Sequence, residues 1–336
     1  MGMGMIVCYM RSSSYGCYSM CQQQYFIEYN LGIKGNSNKS AVKGTVTHRC
    51  MQLLADQKLA MNDGKDSFED DDFGHIEVDK CDDFEYVTDL SWDLYTPDEP
   101  HLNFTKADKR DCLKWLHKAT EHMDGAFDPR KQKIVEAEKF FDFEIHKKWA
   151  AYKYEVNGET IEGHLALKGT VDLIIEHEDC YECIDYKTGA RKNWATGEEY
   201  TLDKLNNNHQ LLMYYYALRR DFADKPLLMS IYYINTGGVF TLGFDDNDLD
   251  RAEGVIRKRY EEIKKNTKPQ LLTKDTWKCS KLCHFGKNSF EGKSETMCQT
   301  IHKHTQLHGI EGSMEKYGDM DKITKYGDGG GKKNVE

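Results

Sequence analysis

The clearest pattern of hydrophobic and polar positions lies in residues 169–190. Val171, Leu173 and Ile175 recur with a period of two, a polar run follows at residues 177–179, and the alternation then resumes. Side chains on a strand point alternately to its two faces, so a period of two is typical of a half-buried strand. Two such runs around a short polar reversal predict a β-hairpin.

The rest of the chain alternates between helical and strand-like stretches. Helical spacing of apolar residues predicts helices over residues 39–59, 105–123, 205–222 and 246–265. A period of two predicts strands over residues 131–145, 227–235 and 239–244, and a hairpin of residues 149–156 and 161–167 around Asn157-Gly158. A further short helix is expected near the start of the chain, with Ser14 as its cap and Gly32 as its stop. This mixture predicts an α/β fold.

Residues 62–100 differ from the rest of the chain in composition. They contain 15 acidic residues and two lysines, whereas the whole chain has a net charge of −10, so the remainder is slightly positive at +3. The charge and the turn residues predict an exposed, partly mobile insertion, although Tyr86, Leu90, Trp92 and Leu94 could dock a piece of it. A solvated acidic loop is one interpretation, and a negatively charged gate is the other. The remaining surface could still bind phosphate groups.

The overall composition indicates a globular protein. Of the 336 residues, 39% are hydrophobic and 12% aromatic, which is enough for a core. No apolar run is long enough to span a bilayer, and the start of the chain lacks the apolar region of a secretory signal, so we expect a cytoplasmic protein without a membrane partner. Eleven cysteines in such a chain argue against a disulfide framework and favour metal or cluster ligation.

Three charged residues converge on one face of the predicted 169–190 hairpin. Asp172 and Asp185 are 13 residues apart across the reversal and lie side by side near its open end, and Lys187 follows two residues later on the same face. A divalent cation would offset the repulsion between the carboxylates, and hard oxygen ligands suit Mg²⁺ or Mn²⁺. A lysine beside the metal can position the attacking water. The alternative is a surface hairpin with an Asp–Lys pair and a solvated aspartate.

Two further motifs flank this hairpin. KGTVTH ends in His48 on the helix of residues 39–59, and QLLMYY presents Gln210 and Tyr214 on the helix that follows the hairpin. Together with GTVDLI and ECIDYKTG, in this order, they resemble the RecB-like branch of the PD-(D/E)XK nuclease superfamily, including its CRISPR-associated and AddB-type iron–sulfur nucleases. The resemblance extends from about Ser12 to Cys298. It implies a restriction-endonuclease-like core with a mixed central sheet flanked by helices and a cysteine-containing C-terminal segment.

The resemblance implies a role for each residue of the hairpin motifs. Asp172 and Asp185 would bind Mg²⁺ or Mn²⁺, with His48 and the backbone carbonyl of Tyr186 completing the protein ligands. Lys187 would orient the attacking water or help to deprotonate it, and it would steady the charge that develops on the phosphate.

The resemblance also assigns residues around the hairpin. Gln210 and Tyr214 would hold the lysine side of the site and the DNA backbone. Glu138 lies where relatives often place an extra acidic residue, with Glu136 nearby. Periodicity alone would make His48 a buried core residue, whereas the resemblance favours a metal ligand.

Four cysteines resemble the ligands of the family's [4Fe–4S] cluster, one before the nuclease motifs and three after them: Cys21, Cys279, Cys283 and Cys298. The gaps among the last three are wider than the tight spacing usual in the family. His284 or His302 could therefore replace one of them. A structural Zn²⁺ site with four ligands is the alternative, and a site without metal is the third reading.

Cys180 and Cys183 form a second cysteine pair on the 169–190 hairpin. They flank the start of the strand that carries Asp185, so Cys183 should point into the sheet and pack there. Without a second pair in reach, we interpret both as structural.

The predicted function is a metal-dependent DNA nuclease that hydrolyses phosphodiester bonds. The resemblance favours an exonuclease that acts on DNA ends or single strands in recombination, repair or replication. A structure-specific endonuclease and a non-catalytic DNA-binding or assembly subunit are the alternatives. A helicase or recombination partner remains open, and a compact nuclease of this kind would suit a phage.

The expected organisation follows the chain. Residues 1–61 form an N-terminal helical part with Cys21 and the histidine motif, and residues 62–100 form the acidic insertion. Residues 101–266 form the nuclease core, residues 267–310 hold the remaining cysteines, and residues 311–336 form a flexible tail.

Overall fold

The computed structural model describes residues 2–156, 158–192, 197–236, 238–274, 276–287, 290, 292 and 294–319. The helices in these ranges are α1 (Ser12–Met20), α2 (Gln22–Tyr25), α3 (Lys39–Asn62), α4 (Phe84–Tyr95), α5 (Lys106–Glu121), α6 (Leu202–Asn206), α7 (His209–Leu218), α8 (Asp246–Lys265), α9 (Trp277–Lys281) and α10 (Met297–Tyr317). The strands are β1 (Tyr9–Met10), β2 (Ser67–Asp70), β3 (Gly74–Glu77), β4 (Ile134–Glu144), β5 (Ala151–Val156), β6 (Glu159–His164), β7 (Ala166–Glu176), β8 (Tyr181–Lys187), β9 (Leu227–Tyr233) and β10 (Val239–Gly243).

The chain folds into two compact units that interleave along the sequence. The first unit comprises Met1–Asn36, Phe141–Gly169 and Asp250–Glu336, and the second comprises Ser37–Phe140 and Thr170–Leu249. The five continuous segments expected from the sequence follow a different division, which stays a prediction.

The sheet of the second unit confirms the predicted 169–190 hairpin. Strands β7 and β8 are antiparallel, with Leu173 opposite Ile184, and the same register places Asp172 opposite Asp185. Strand β8 is parallel to β9, β9 is antiparallel to β10, and β4 also pairs with β7. The predicted mixed central sheet is therefore present.

Helices flank this sheet. One core joins α3, α4 and α5 to inward-facing residues of the sheet, including Leu173, Ile184 and Tyr186. Because side chains alternate along β8, Asp185 points away from Ile184 and Tyr186, and α7 lies on its side of the sheet, where Gln210 donates to its carboxylate. The predicted arrangement of helices around a central sheet is confirmed.

Residues 62–100 are folded and part of them is docked on the core, whereas their description as a partly mobile insertion stays a prediction. They form β2, β3 and α4, and Val87 of α4 is fully buried in the core of the second unit. Trp92 and Leu90 pack against that core, as the apolar alternative for this segment anticipated. The acidic side chains dominate the composition, but a few apolar residues on one face of α4 are enough to dock it.

A buried ion pair fastens the β2–β3 hairpin to α3. The Arg49 guanidinium lies 2.6 Å from Asp70 Oδ2 and 3.2 Å from Asp72 Oδ2, and it stacks over the Phe73 ring at 5.0 Å. Arg49 and Asp70 are only 6% and 5% exposed, whereas Asp72 is 44% exposed. Arg49 directly follows His48, so this pair also anchors the turn of α3 that carries the histidine.

Replacing Arg49 with alanine should destabilise the protein by about 3–5 kcal/mol, because the buried Asp70 carboxylate would lose its partner. The matched control, Asp72→Asn, removes a largely exposed charge and should cost less than about 1 kcal/mol. Urea unfolding monitored by circular dichroism measures both values. Equal, small losses for the two variants would contradict the role given to Arg49.

The first unit contains the start of the chain, the β5–β6 hairpin and α10. Strand β1 pairs in parallel with the beginning of β7, and β5 and β6 are antiparallel around residues 157–158, where Asn157 lies outside the described residues. The predicted hairpin is confirmed. Helix α10 continues to Tyr317, beyond residue 311 where we expected a flexible tail, and residues 320–336 lie outside the described residues.

Two predicted helices are interrupted. The N-terminal helix breaks at Cys21, whose extended backbone (φ −157°, ψ 115°) separates α1 from α2. Ser14 lies inside α1 rather than at its cap, and its hydroxyl accepts the Arg11 N–H at 2.9 Å. The helix predicted over residues 205–222 is broken at Asn208, which caps α7.

Among the helices of the described residues, none combines the length and apolarity needed to cross a membrane.

Candidate active site

The open end of the β7–β8 hairpin brings the two predicted aspartates together. Asp172 Oδ2 accepts a hydrogen bond from the Tyr186 N–H at 2.7 Å, which fixes the carboxylate across the hairpin. The side chains of Asp172 and Asp185 are 13% and 3% exposed. Two carboxylates held this far from solvent require positive charge beside them.

Helix α3 supplies the histidine. Asn38 caps the helix by accepting the Ala41 N–H at 3.0 Å, and His48 follows on a later turn. His48 Nδ1 lies 3.2 Å from Asp172 Oδ1. The side chain is 28% exposed, so it is not the fully buried core residue that periodicity alone suggested.

Glu138 of β4 completes a compact group of possible ligands. One ligand atom each from His48, Glu138 and Asp172 lies within 4.8 Å of the others. A cavity of about 10 Å³ lies among them, which is roughly the space of one water molecule or ion. Asp185 is outside this group. The resemblance placed Asp185 and the Tyr186 carbonyl among the ligands and Glu138 as an extra acidic residue, whereas the structure groups Glu138 with His48 and Asp172.

Glu138 has an unusual backbone conformation. Its φ of +46° lies in the left-handed region, which a non-glycine residue rarely adopts within a strand. Such strain persists only where the surroundings impose it, and it concentrates at functional sites. The pattern of hydrophobic and polar residues carries no signal for this kink, so sequence reasoning could not single out Glu138 over Glu136.

Lys187 and α7 surround the second aspartate. Lys187 Nζ lies 2.6 Å from Asp185 Oδ2, and Gln210 Nε2 donates to Asp185 Oδ1 at 3.0 Å. Gln210 Nε2 also lies 2.9 Å from the Tyr214 hydroxyl. Asn208 places Gln210 in the first turn of α7 by accepting its N–H at 2.8 Å. Both residues of the Gln-x-x-x-Tyr motif therefore reach the site.

Neighbouring charges and burial shift the pKa values of these groups. Burial lowers the pKa of His48, but the Asp172 carboxylate more than compensates and raises it to about 9. Burial also opposes ionisation of Asp172, yet His48, Lys187 and the Tyr186 N–H together lower its pKa. Burial raises the pKa of Asp185 despite the Lys187 ammonium, with the Asp172 charge adding to the rise. The pKa of Asp172 is therefore lowered, whereas the pKa of Asp185 is raised.

The donor set fits a hard divalent cation. Burial and the Asp172 charge raise the pKa of Glu138 above its ordinary range, as expected where several carboxyl groups share one buried site. Asp185 Oδ2 is buried and is paired with the Lys187 ammonium at 2.6 Å. Carboxylate oxygens with one imidazole are suitable ligands for Mg²⁺ or Mn²⁺.

The first unit brings the four predicted cysteines together. A cavity of about 250 Å³ is lined by Cys21, Cys279, Cys283 and Cys298. The break between α1 and α2 occurs at Cys21 itself. Gly286 packs against the Cys279 backbone, where an added Cβ would lie 2.6 Å from the carbonyl oxygen. Burial raises the pKa of Cys279, Cys283 and Cys298, so ligation would require these thiols to release protons.

The other predicted candidates lie apart from that cavity. His284 and His302 are not among its described lining residues, and His302 Nδ1 instead lies 3.1 Å from Gln23 Oε1. Cys183 is fully buried in the sheet, and Cys180 lies at the end of the hairpin. This placement agrees with a structural reading of the Cys180–Cys183 pair.

Comparison with known proteins identifies a family that matches most of the chain. The family model of the PD-(D/E)XK nuclease superfamily matches residues 12–287. Among solved structures, a protein from Eubacterium rectale described as a "putative exonuclease" has a TM-score of 0.45 and 12% identity, covering 87% of this chain and 92% of that chain. The crystal structure of SSO0001 has a TM-score of 0.24 and 11% identity, covering 79% and 92%. Such remote likenesses carry no argument about activity. A search of curated proteins finds no match.

Proposed function

The chain belongs to the PD-(D/E)XK nuclease superfamily, and from this membership we propose that it is a metal-dependent deoxyribonuclease acting on DNA ends or single strands. The observation that carries the proposal is the second unit's cluster of two buried aspartates, a lysine paired with one of them and a histidine paired with the other. A surface hairpin would leave these carboxylates in solvent, whereas both are largely buried.

His48, Glu138, Asp172 and Asp185 would hold Mg²⁺ or Mn²⁺. The bound cation would supply a hydroxide-like nucleophile at neutral pH and neutralise charge on the scissile phosphate. The Tyr186 N–H fixes the Asp172 carboxylate, and the Tyr186 carbonyl stays a proposed ligand.

Lys187 and Gln210 contact Asp185, whereas His48 contacts Asp172. The carboxylates around Lys187 raise its pKa although burial opposes this, so the nitrogen is an ammonium. An ammonium at this position orients the attacking water and stabilises negative charge that develops on the phosphate. Gln210 donates a hydrogen bond to Asp185 Oδ1 and another to the Tyr214 hydroxyl. In this proposal, Tyr214 contacts the DNA backbone.

A covalently closed DNA circle distinguishes an exonuclease from an endonuclease, because an exonuclease needs a DNA end. We expect wild-type protein with Mn²⁺ to degrade linear single-stranded DNA and to leave a covalently closed single-stranded circle intact. Linear DNA labelled at its 5′ or 3′ end, run in parallel, reports the polarity. Cleavage of the circle at the rate of the linear strand would instead establish the structure-specific endonuclease, and degradation of RNA alone would overturn the DNA assignment.

We further propose that Cys21, Cys279, Cys283 and Cys298 bind a [4Fe–4S] cluster. Within the described residues, no three of these sulfurs lie within 4.8 Å of one another. Four thiolates around one zinc ion lie about 3.8 Å apart, given a Zn–S bond of about 2.3 Å. The wider spacing and the cavity of about 250 Å³ favour the larger cluster. A structural Zn²⁺ ion bound by the same four cysteines is the alternative to the cluster.

Protein purified without oxygen should be brown and contain about four iron atoms per chain. Cys283→Ser should lose the iron and unfold at a lower temperature, because the cluster joins the start of the chain to residues 279–298. The matched control, Cys180→Ser, alters a cysteine outside the cavity and should keep both properties. Iron analysis with thermal unfolding measures them, and a colourless protein with one zinc per chain would replace the cluster with zinc.

A further inference from the structure

A second group of metal-ligating side chains lies in the first unit, at the end of β4 and at the end of β6, and none of its three residues belongs to the sites described above. One ligand atom each from Glu144, His146 and His164 lies within 4.8 Å of the others. His146 Nδ1 is 3.8 Å and His164 Nδ1 is 4.0 Å from Glu144 Oε2. The two imidazole rings meet edge to face with their centroids 5.0 Å apart.

The backbone beneath these side chains is fixed. The Ile145 N–H donates to the Leu165 carbonyl at 2.9 Å, and the Leu165 N–H donates to the Ala150 carbonyl at 2.8 Å. Ile145 and Leu165 are buried. Their neighbours His146 and His164 are therefore held on adjoining stretches of chain, at the end of β4 and the end of β6, so little ordering is needed before a ligand binds.

We propose that Glu144, His146 and His164 bind a transition-metal ion of the Zn²⁺ type, with water completing the coordination. Two imidazoles and one carboxylate select zinc, cobalt or nickel over the Mg²⁺ that suits an oxygen-rich site. Ligands on one tetrahedral zinc ion lie about 3.4 Å apart for bonds of about 2.0–2.1 Å. The present separations of 3.8 and 4.0 Å need only small side-chain movements to reach that value.

The three side chains have the access that such an ion requires. His146 is 73% exposed, Glu144 50% and His164 38%, so an ion can enter from solvent without unfolding. Lys147, which follows His146 and whose positive charge would repel a metal ion, forms an ion pair with Glu253. A bound ion would link the end of β4 to the β5–β6 hairpin and stabilise the folded unit by mass action.

The test titrates Zn²⁺ into untagged full-length protein by calorimetry, with the cysteine site as purified and millimolar Mg²⁺ present to occupy the carboxylate site. Wild-type protein should bind one more equivalent of Zn²⁺ than His146→Ala/His164→Ala. Glu144→Gln should weaken that equivalent by about 10- to 100-fold. Zn²⁺ should also raise the unfolding temperature of the wild type more than that of the double variant.

A histidine pair elsewhere provides the matched control. His304 and His308 of α10 have ring centroids 4.4 Å apart, and in the described part of the chain no carboxylate joins them in a metal-ligating group. His304→Ala/His308→Ala should keep the wild-type stoichiometry. Equal unfolding temperatures of all variants in EDTA would show that each is folded. The proposal is overturned if wild type and His146→Ala/His164→Ala bind the same number of Zn²⁺ ions with the same affinity, or if the control loses the extra equivalent.

Discussion

Replacing Lys187 with alanine is expected to lower the single-turnover rate of DNA cleavage by about 10³-fold, with metal binding retained. The ammonium lies 2.6 Å from Asp185 Oδ2, and Gln210 donates to the other oxygen of the same carboxylate. Its removal takes away the charge that orients the water and steadies the phosphate. Quenched-flow cleavage of labelled DNA measures the rate, and calorimetry with Mn²⁺ measures metal affinity.

Two further variants sharpen the Lys187 result. Lys187→Arg keeps the positive charge but carries it on a planar guanidinium that cannot occupy the same position, so we expect it to recover only a small part of the rate. Lys153→Ala removes an exposed lysine that is 3.4 Å from Glu162 on the β5–β6 hairpin and should cleave like wild type. A Lys187→Ala protein that is folded and cleaves at the wild-type rate would remove the lysine from the mechanism.

Replacing Asp172 or Asp185 with asparagine should weaken metal binding as well as cleavage. Each change removes one negative charge from a site that is otherwise filled by His48, Glu138 and the remaining aspartate. We expect weaker Mn²⁺ binding by calorimetry and a loss of cleavage on the order of 10³-fold or more, even at high metal concentration. The contrast with Lys187→Ala, which keeps metal binding, separates the ligands from the residue that acts on the water.

An exposed aspartate is the control for these two variants. Asp221 is 58% exposed and lies 3.5 Å from Lys139, so Asp221→Asn should bind Mn²⁺ and cleave DNA as wild type does. Circular dichroism spectra of all three variants should match that of the wild type. If Asp172→Asn and Asp185→Asn both bound Mn²⁺ normally, the cation would have to bind elsewhere.

Much of the site could be predicted because its residues lie in periodic elements. A period of two places Asp172, Asp185 and Lys187 on one side of a hairpin, and a period of 3.6 places Gln210 and Tyr214 one turn apart. The structure brings these five side chains together as that reasoning implies. Their chemical roles stay predictions until the variants are measured.

Other features depend on contacts that no local pattern encodes. Glu138 reaches the site on a backbone kink with a φ of +46°, which the pattern of hydrophobic and polar residues does not indicate. Residues 62–100 are docked by apolar residues of α4 and by the buried Arg49–Asp70 pair, although their composition resembles that of a mobile loop. The helix also breaks at Cys21, where the sequence has no glycine or proline that would predict a break.

The central claim is that the β7–β8 aspartates support metal-dependent hydrolysis of DNA. The most direct measurement incubates end-labelled single-stranded DNA with wild type and Lys187→Ala, purified in parallel, with Mn²⁺ or with EDTA. The account predicts shortening of the DNA only by the wild type and only with Mn²⁺. Intact DNA in every lane, or equal shortening by both proteins, would contradict it.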